Sequence, residues 1–200
     1  MNTNERQIAL SVLESLRGDL IYAHLNNGSR ILDVADLRQY TMPREGQIVH
    51  VSAGTGRAFW GPGDMYTFLV TGEQTGGAYF VMEALVPPGG GPPPHIHRNE
   101  DETFYIVEGQ CSIRLGDQMV NAAAGDFVNV PRSIVHCFRN EGTSTMRMIL
   151  TYSPSGIEKF FEETLEPALD RSSGPPPNIQ ALADRFVAAG PKYGIEFFAS

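Results

Sequence analysis

The sequence predicts an all-β domain, a sandwich or a barrel, with one helix before it and two after it. Three observations point that way. Short runs of β-branched, aromatic and aliphatic residues recur at 66–70, 78–86, 103–107, 111–115, 126–130, 136–138 and 146–152, a composition that suits a pleated, half-buried surface. Glycine-bearing turns punctuate them at Thr71-Gly72, Gly76-Gly77, Glu108-Gly109, Gly116-Asp117, Ala124-Gly125 and Glu141-Gly142, where tight hairpins need a residue that tolerates positive φ. On either side of this region the apolar spacing becomes that of helices. Sandwiches, barrels and jelly rolls all satisfy such a pattern, and periodicity does not choose between them.

Composition bounds the function. The chain has 200 residues, 42% hydrophobic and 19% charged, enough apolar material for one core and no signature of disorder. Its formal charge is −8, and its 15 Lys and Arg are scattered, so no basic block is available to neutralise a run of phosphates and nucleic acid is an unlikely partner on charge grounds. The N-terminus lacks a basic stretch followed by an apolar one, and no run of about 18 apolar residues occurs. These features lead us to expect no membrane association and a cytoplasmic location. Cys111 and Cys137, with no export signal, are expected as free thiols.

In chain order, Ile8, Val12, Leu13, Leu16 and Leu20 fall on one face of a helix over about 4–24, weakened by Gly18. Turn formers then alternate with short apolar stretches, of which 47–52 reads as a strand. Residues 1–52 are thus expected as a helix-and-strand extension, 53–153 as the barrel and 154–200 as a helical tail packed on its outside. The tail opens on Ser155-Gly156-Ile157-Glu158, which has the form of a capping box. Behind it Ile157, Phe160, Phe161, Leu165 and Leu169 make an apolar stripe. Pro175-Pro176-Pro177 is a stiff spacer, and Asn178 can cap a last helix carrying Ile179, Leu182, Ala183, Phe186 and Val187 up to Gly190-Pro191.

The chemistry is concentrated in a few residues. Two of the five histidines stand as His95-Ile96-His97 after Gly89-Gly90-Gly91-Pro92-Pro93-Pro94. On a strand, residues i and i+2 share a face, so both imidazoles can reach one ion. Glu102, opening the next strand, offers a carboxylate, and His136 on a separate strand a third imidazole. Three imidazoles and one carboxylate suit a divalent first-row transition metal (Fe, Mn, Ni, Co, Cu or Zn) with positions left for water or substrate. Taken alone, a His-x-His pair is as often a solvated turn. Asp101 could replace Glu102 only by leaving the interior face, and His24 and His50 have no partners at ligand spacing. Cys137 follows His136 and alternates to the opposite face, where a buried small hydrophobe is the simpler reading.

The spacings Gly89-x5-His95-x-His97-x4-Glu102-x6-Gly109 and Gly125-x5-Pro131-x-Ser133-x2-His136-x3-Asn140 resemble the two motifs of the cupin superfamily, with Ser133 where the family usually has glycine. Gly63-Asp64-Met65-Tyr66-Thr67-Phe68, Thr75-Gly76-Gly77-Ala78-Tyr79, Pro154 through Phe161 and Tyr193-Gly194-Ile195-Glu196-Phe197 are similar to small single-domain cupins that look like one half of quercetin 2,3-dioxygenase. The resemblance implies a jelly-roll (double-stranded β-helix) barrel, metal ligation by His95, His97, Glu102 and His136, and a homodimer joined through the N-terminal strand. It also implies a small-molecule substrate, flavonol-like or diketone-like, attacked by O₂ with Glu102 as the catalytic base. A non-catalytic binding cupin and a non-oxidative decarboxylase or isomerase are the alternatives. An interior Arg or Lys would favour the last, and Arg98, Arg114, Arg132 and Arg139 are the nearest basic residues. By strand parity with the ligands, Phe104, Ile106 and Phe138 point inward; Phe68, Phe80 and Met82 extend this wall if their parity matches. Each of the six suits a barrel core as well as a substrate pocket.

Overall fold

The computed structural model describes residues 21–25, 28–32 and 48–199, and the chain divides into two compact units, Met1–Glu45 and Gly46–Ser200. In the first, β1 (Ile21–Leu25) and β2 (Gly28–Leu32) form an antiparallel hairpin with Ile21 opposite Leu32 and Leu25 opposite Gly28. The helix expected over 4–24 is therefore overturned at residues 21–24, and the rest of it lies outside the described residues. The intervening Asn26-Asn27 and the following Gly28 are turn formers, and Ile21 and Tyr22 favour extended backbone. Here local hairpin chemistry outweighs the 3.6-residue spacing.

In the second unit, β3 (Arg57–Trp60), β4 (Met65–Val70), β5 (Phe80–Val86), β7 (Asp101–Glu108), β10 (Phe127–Val130), β12 (Met146–Ser153) and the short β13 (Glu166–Pro167) build a seven-stranded sheet in the order β10-β7-β12-β5-β4-β3-β13. A five-stranded sheet runs β14-β6-β11-β8-β9, formed by β6 (His95–His97), β8 (Gln110–Leu115), β9 (Gln118–Ala123), β11 (His136–Arg139) and β14 (Ile195–Phe197). Every pairing in both sheets is antiparallel. The fold is all-β, as expected. Alternation places Phe80, Met82, Ala84 and Val86 of β5, Phe104 and Ile106 of β7, and Met146, Met148, Leu150 and Tyr152 of β12 in one buried core, each large side chain contributing roughly 1.5–3 kcal/mol of transfer free energy.

The seven runs read from sequence are all strands. β9 escaped notice because its sequence, Gln-Met-Val-Asn-Ala-Ala, has no apolar alternation: it is the edge of its sheet and buries only Ala122. Residues 48–52 are not a strand of this unit's sheets but run as irregular backbone, with Ile48 and His50 exposed. Their apolar alternation pairs with no strand among the described residues.

The helices among the described residues are α1 (Gly72–Thr75), α2 (Glu158–Thr164) and α3 (Ile179–Ala189), the last followed by a 3-10 turn over Gly190–Tyr193. The capping box at Ser155 does not form. Instead, the Glu158 carboxylate accepts hydrogen bonds from the Gly156 amide (2.7 Å) and the Gly72 amide (2.9 Å), tying the start of α2 to the start of α1. Helix α2 also ends earlier than its stripe implies, leaving Leu169 97% exposed. Asn178 is the N-cap residue of α3 but makes no side-chain cap bond. No helix among the described residues is long and apolar enough to cross a membrane, and Cys111 and Cys137 are free.

Candidate metal centre

His95 and His97 lie on β6, which is flanked by β11 on one side and β14 on the other. His136 stands directly opposite His95, Ile195 opposite His97, and Phe197 opposite His95. Glu102, near the start of β7, sits between Val130 of β10 and Tyr152 of β12. The four predicted ligands thus come from three strands of two facing sheets. Each offers one donor atom, these atoms lie within 4.8 Å of one another, and all four side chains are buried.

The glycine-rich run before His95 makes this approach possible. A Cβ on Gly91 (φ +135°) would stand 2.0 Å from the Phe138 carbonyl oxygen, so only glycine lets this loop press against β11. Asn140 holds the loop in place: the Gly89 amide donates to the Asn140 carbonyl (2.7 Å) and the Asn140 amide donates to the Gly90 carbonyl (3.0 Å). The Asn140 side chain donates to the Val86 and Ser144 carbonyls and accepts from the Gly142 amide. On the other flank Ser133 takes the left-handed conformation (φ 66°) and its amide donates to the His97 carbonyl (2.7 Å). A serine has thus kept the turn before His136 that glycine would make without strain.

The imidazoles are oriented for ligation. Nδ1 of His95 lies 2.9 Å from the Pro93 carbonyl and Nδ1 of His136 lies 2.9 Å from the Ile134 carbonyl. A carbonyl only accepts, so each Nδ1 carries a hydrogen and Nε2 is the nitrogen turned inward. His97 is buried with neither ring nitrogen hydrogen-bonded, and such an orphaned polar group needs a partner. Glu102 Oε2 is 2.8 Å from His136 Nε2 and 3.3 Å from His97 Nε2. A proton on His136 Nε2 can bridge it to Glu102 but leaves His97 unpartnered, whereas a cation placed among these atoms satisfies all of them at once. The residues present fit a transition metal.

The electrostatics agree. Burial would raise the Glu102 pKa, but the His136 hydrogen bond and the neighbouring imidazoles outweigh it and hold the carboxyl well below its usual range. Burial opposes a charge on His136, yet its contact with Glu102 raises its pKa. His95 is pushed down to about 3, first by burial and then by His136 and His97. Asp101, the alternative carboxylate, is half-buried and outside the cluster, bound to Arg132 (3.0 Å). His50 is exposed, and the His24 side chain lies outside what the structure describes.

Residues 82–152 match the cupin domain family model. Over 134 residues, 66% of this chain, the sequence is 28% identical to quercetin 2,3-dioxygenase of Bacillus subtilis, and over 94 residues it is 33% identical to the polyketide synthase CurC of Streptomyces cyaneus. This chain spans 40% of the length of the first and 60% of the second. The structure of KdgF from Halomonas sp. superimposes with a TM-score of 0.50 at 17% identity, covering 57% of this chain and 98% of that one, a likeness of fold alone. The chain carries a cupin domain.

Three of the four candidate ligands, His95, His97 and Glu102, line a cavity of about 30 Å³, room for about two waters. Of the six wall residues expected, Met82 and Phe138 line it. Phe104, Ile106, Phe80 and Phe68 do not; they point inward but pack into the core, since parity fixes the face of a sheet and not the depth along the barrel. Tyr66, Leu150 and Tyr152 complete the barrel's share of the wall. Tyr152 could not be found by spacing, because its place follows from its register opposite Glu102.

The helical tail also contributes to the pocket. Phe160 and Phe161 of α2, Phe186 of α3, and Ile195 and Phe197 of β14 line the same cavity as the histidines. The two helices are part of the pocket, not merely outer padding. Their apolar stripes carried that signal, but a stripe does not say what it faces. Beside the cavity, Asp64 is buried, accepts a hydrogen bond from the Tyr66 hydroxyl (3.1 Å) and leaves Oδ1 without a partner. Burial, only partly offset by Tyr66, raises its pKa to about 7.

Proposed function

We infer that this cupin is a metal-dependent dioxygenase acting on a small aromatic or enolisable substrate, flavonol-like or diketone-like. One observation carries the reading: the buried His₃Glu set faces a wall of aromatic and aliphatic side chains, and among the described residues no Lys or Arg lines the cavity. Such a site does not grip a carboxylate or phosphate, whereas it suits a flat, largely neutral molecule whose one acidic hydroxyl meets the ligand cluster. The quercetin 2,3-dioxygenase relative supports the choice.

His95, His97, Glu102 and His136 would hold the metal, one of Fe, Mn, Ni, Co, Cu or Zn, which when bound supplies Lewis acidity toward a substrate oxygen. Glu102, ionised throughout the neutral range, is the group placed to accept the substrate hydroxyl proton at a carboxylate oxygen. Tyr66 and Tyr152 stay protonated: burial raises both phenols, helped by Asp64 at Tyr66 and by Glu102 at Tyr152. They remain hydrogen-bond donors beside the site. The phenylalanines of the tail keep water from the reacting enolate.

Oxygen uptake tests the reading. Fe, Mn and Ni forms of the protein are each given a flavonol and a simple β-diketone in an oxygen electrode. Consumption that requires both metal and substrate is the expected result. Metal-loaded protein that consumes no O₂ with either substrate in any of the three forms rules it out.

A further inference from the structure

The cavity is too small for the substrate that its walls invite. Drug-sized ligands occupy roughly 300–1,000 Å³, against about 30 Å³ here, so a wall must move before a flavonol can reach the ligands. Nearly all of the lining is buried; only Pro92, Phe186 and Phe197 also reach solvent. The entrance is therefore on the side of the cavity that these three line.

The two phenylalanines differ in how firmly they are held. Phe197 is on β14, whose backbone pairs with the ligand strand β6 and whose Ile195 is buried, and its ring lies 5.6 Å from that of His95. Displacing it would unzip the strand that carries two ligands. Phe186 is on α3, where Leu182 is the one buried residue among eleven. The helix is otherwise tied by Arg185, which donates to the Thr164 carbonyl (2.8 Å) and lies 3.6 Å from Glu166. The Phe186 ring sits 4.5 Å from Phe160 and 5.7 Å from Phe197, plugging the gap between the fixed walls. An element with so little buried surface opens at low free-energy cost.

We propose that α3 is the lid of the metal cavity and that Phe186 is its plug, the residue that restricts entry of flat, multi-ring substrates. This rests on the reading of the cavity as a metal and substrate site. With the lid shut, Phe186 occupies the space beside Phe160 that a substrate ring takes when it is open. Edge-to-face packing on Phe160 and Phe161 then serves plug and substrate alike.

The test uses the full chain loaded with Ni²⁺. In Phe186→Ala, release of Ni²⁺ to an excess of chelator should be about tenfold or more faster than in the wild type, because the cost of opening falls. Under argon, association of a flavonol should accelerate by a similar factor, and that of a small diketone by less. In the wild type, amide hydrogen exchange in 179–189 should be faster than in β6 and β7. Phe186→Leu, the milder change, should fall between, and it carries the test if the alanine variant does not fold. Unchanged release and association rates, or exchange in α3 as slow as in β7, overturn the proposal. Protein that shows the expected rates with Ni²⁺ yet consumes no O₂ in its Fe, Mn or Ni form overturns the dioxygenase reading and leaves the lid standing. Failure of the wild type to bind Ni²⁺, Fe²⁺, Mn²⁺, Co²⁺, Cu²⁺ or Zn²⁺ overturns both.

Discussion

Glu102 Oε2 lies 2.8 Å from His136 Nε2, while the far nitrogen of the same ring is fixed on the Ile134 carbonyl. One carboxylate and one imidazole, from the two facing sheets, are thereby held with their acceptor atoms toward a common point. Breaking that relationship should empty the site without unfolding the barrel. The His136→Ala variant should retain the wild-type far-UV circular dichroism, and elemental analysis should show its metal content reduced to a small fraction. Full occupancy in the variant would mean that His136 is not a ligand.

The ligands were legible because chemistry and strand parity coincide in them. His95 and His97 are separated by one residue on a three-residue strand, and Glu102 and His136 stand where the cupin spacings put them. The runs of β5, β7 and β12 were legible because each alternates a buried face with a less buried one. What stayed hidden depends on partners distant in sequence. Tyr152 reaches the cavity through its register with Glu102, Phe186 through the packing of α3 on α2, and β9 carries no hydrophobic pattern because an edge strand needs little. At 21–24 a helical spacing of apolar residues runs into a strand pair, and only the pairing of Ile21–Leu25 with Gly28–Leu32 decides between the two.

Gly91 should be the most sensitive of the loop glycines. A Cβ there meets the Phe138 carbonyl at 2.0 Å as well as an unfavourable φ, whereas Gly125 (φ +95°) has nothing within 4 Å. Gly125→Ala should cost about 1–2 kcal/mol from backbone strain alone. Gly91→Ala should cost about 2–4 kcal/mol and weaken metal binding besides, since β11 must shift. Urea denaturation of the two variants compares them directly. Equal losses would show that the close approach to β11 is not what requires glycine at 91.

Ser133 offers the opposite sign. It holds a left-handed φ of 66° on the surface, a conformation that costs a side-chain-bearing residue about 1–2 kcal/mol. Ser133→Gly removes that strain and gives back part of it as unfolded-chain entropy, so a net gain of up to about 1 kcal/mol is expected. A lower melting temperature in the variant would show that the serine side chain stabilises the turn in some other way.

Asp64 sets a pH dependence that the metal ligands do not share. Its carboxyl is buried, one oxygen has no partner, and its pKa is raised from 3.8 to about 7. Below pH 3.8 the folded and unfolded chains both carry the proton, and the group contributes nothing to any change with pH. Between that value and about 7 the unfolded chain releases its proton while the folded chain keeps it, so stability falls as pH rises, by about 1.4 kcal/mol per pH unit. Above about 7 both are ionised and the loss is complete, about 4 kcal/mol at most. Asp64→Asn keeps an acceptor for the Tyr66 hydroxyl and cannot ionise, so it escapes this loss. Unfolding free energies measured in urea for both proteins, each freed of metal, should therefore diverge in favour of the variant as pH rises from 4 to 8. The gap should open mainly between pH 5 and 7 and level off above. A difference between the two proteins that stays constant over this range would show that Asp64 titrates as an ordinary solvated carboxylate, and that the carboxyl beside Tyr66 is ionised at neutral pH.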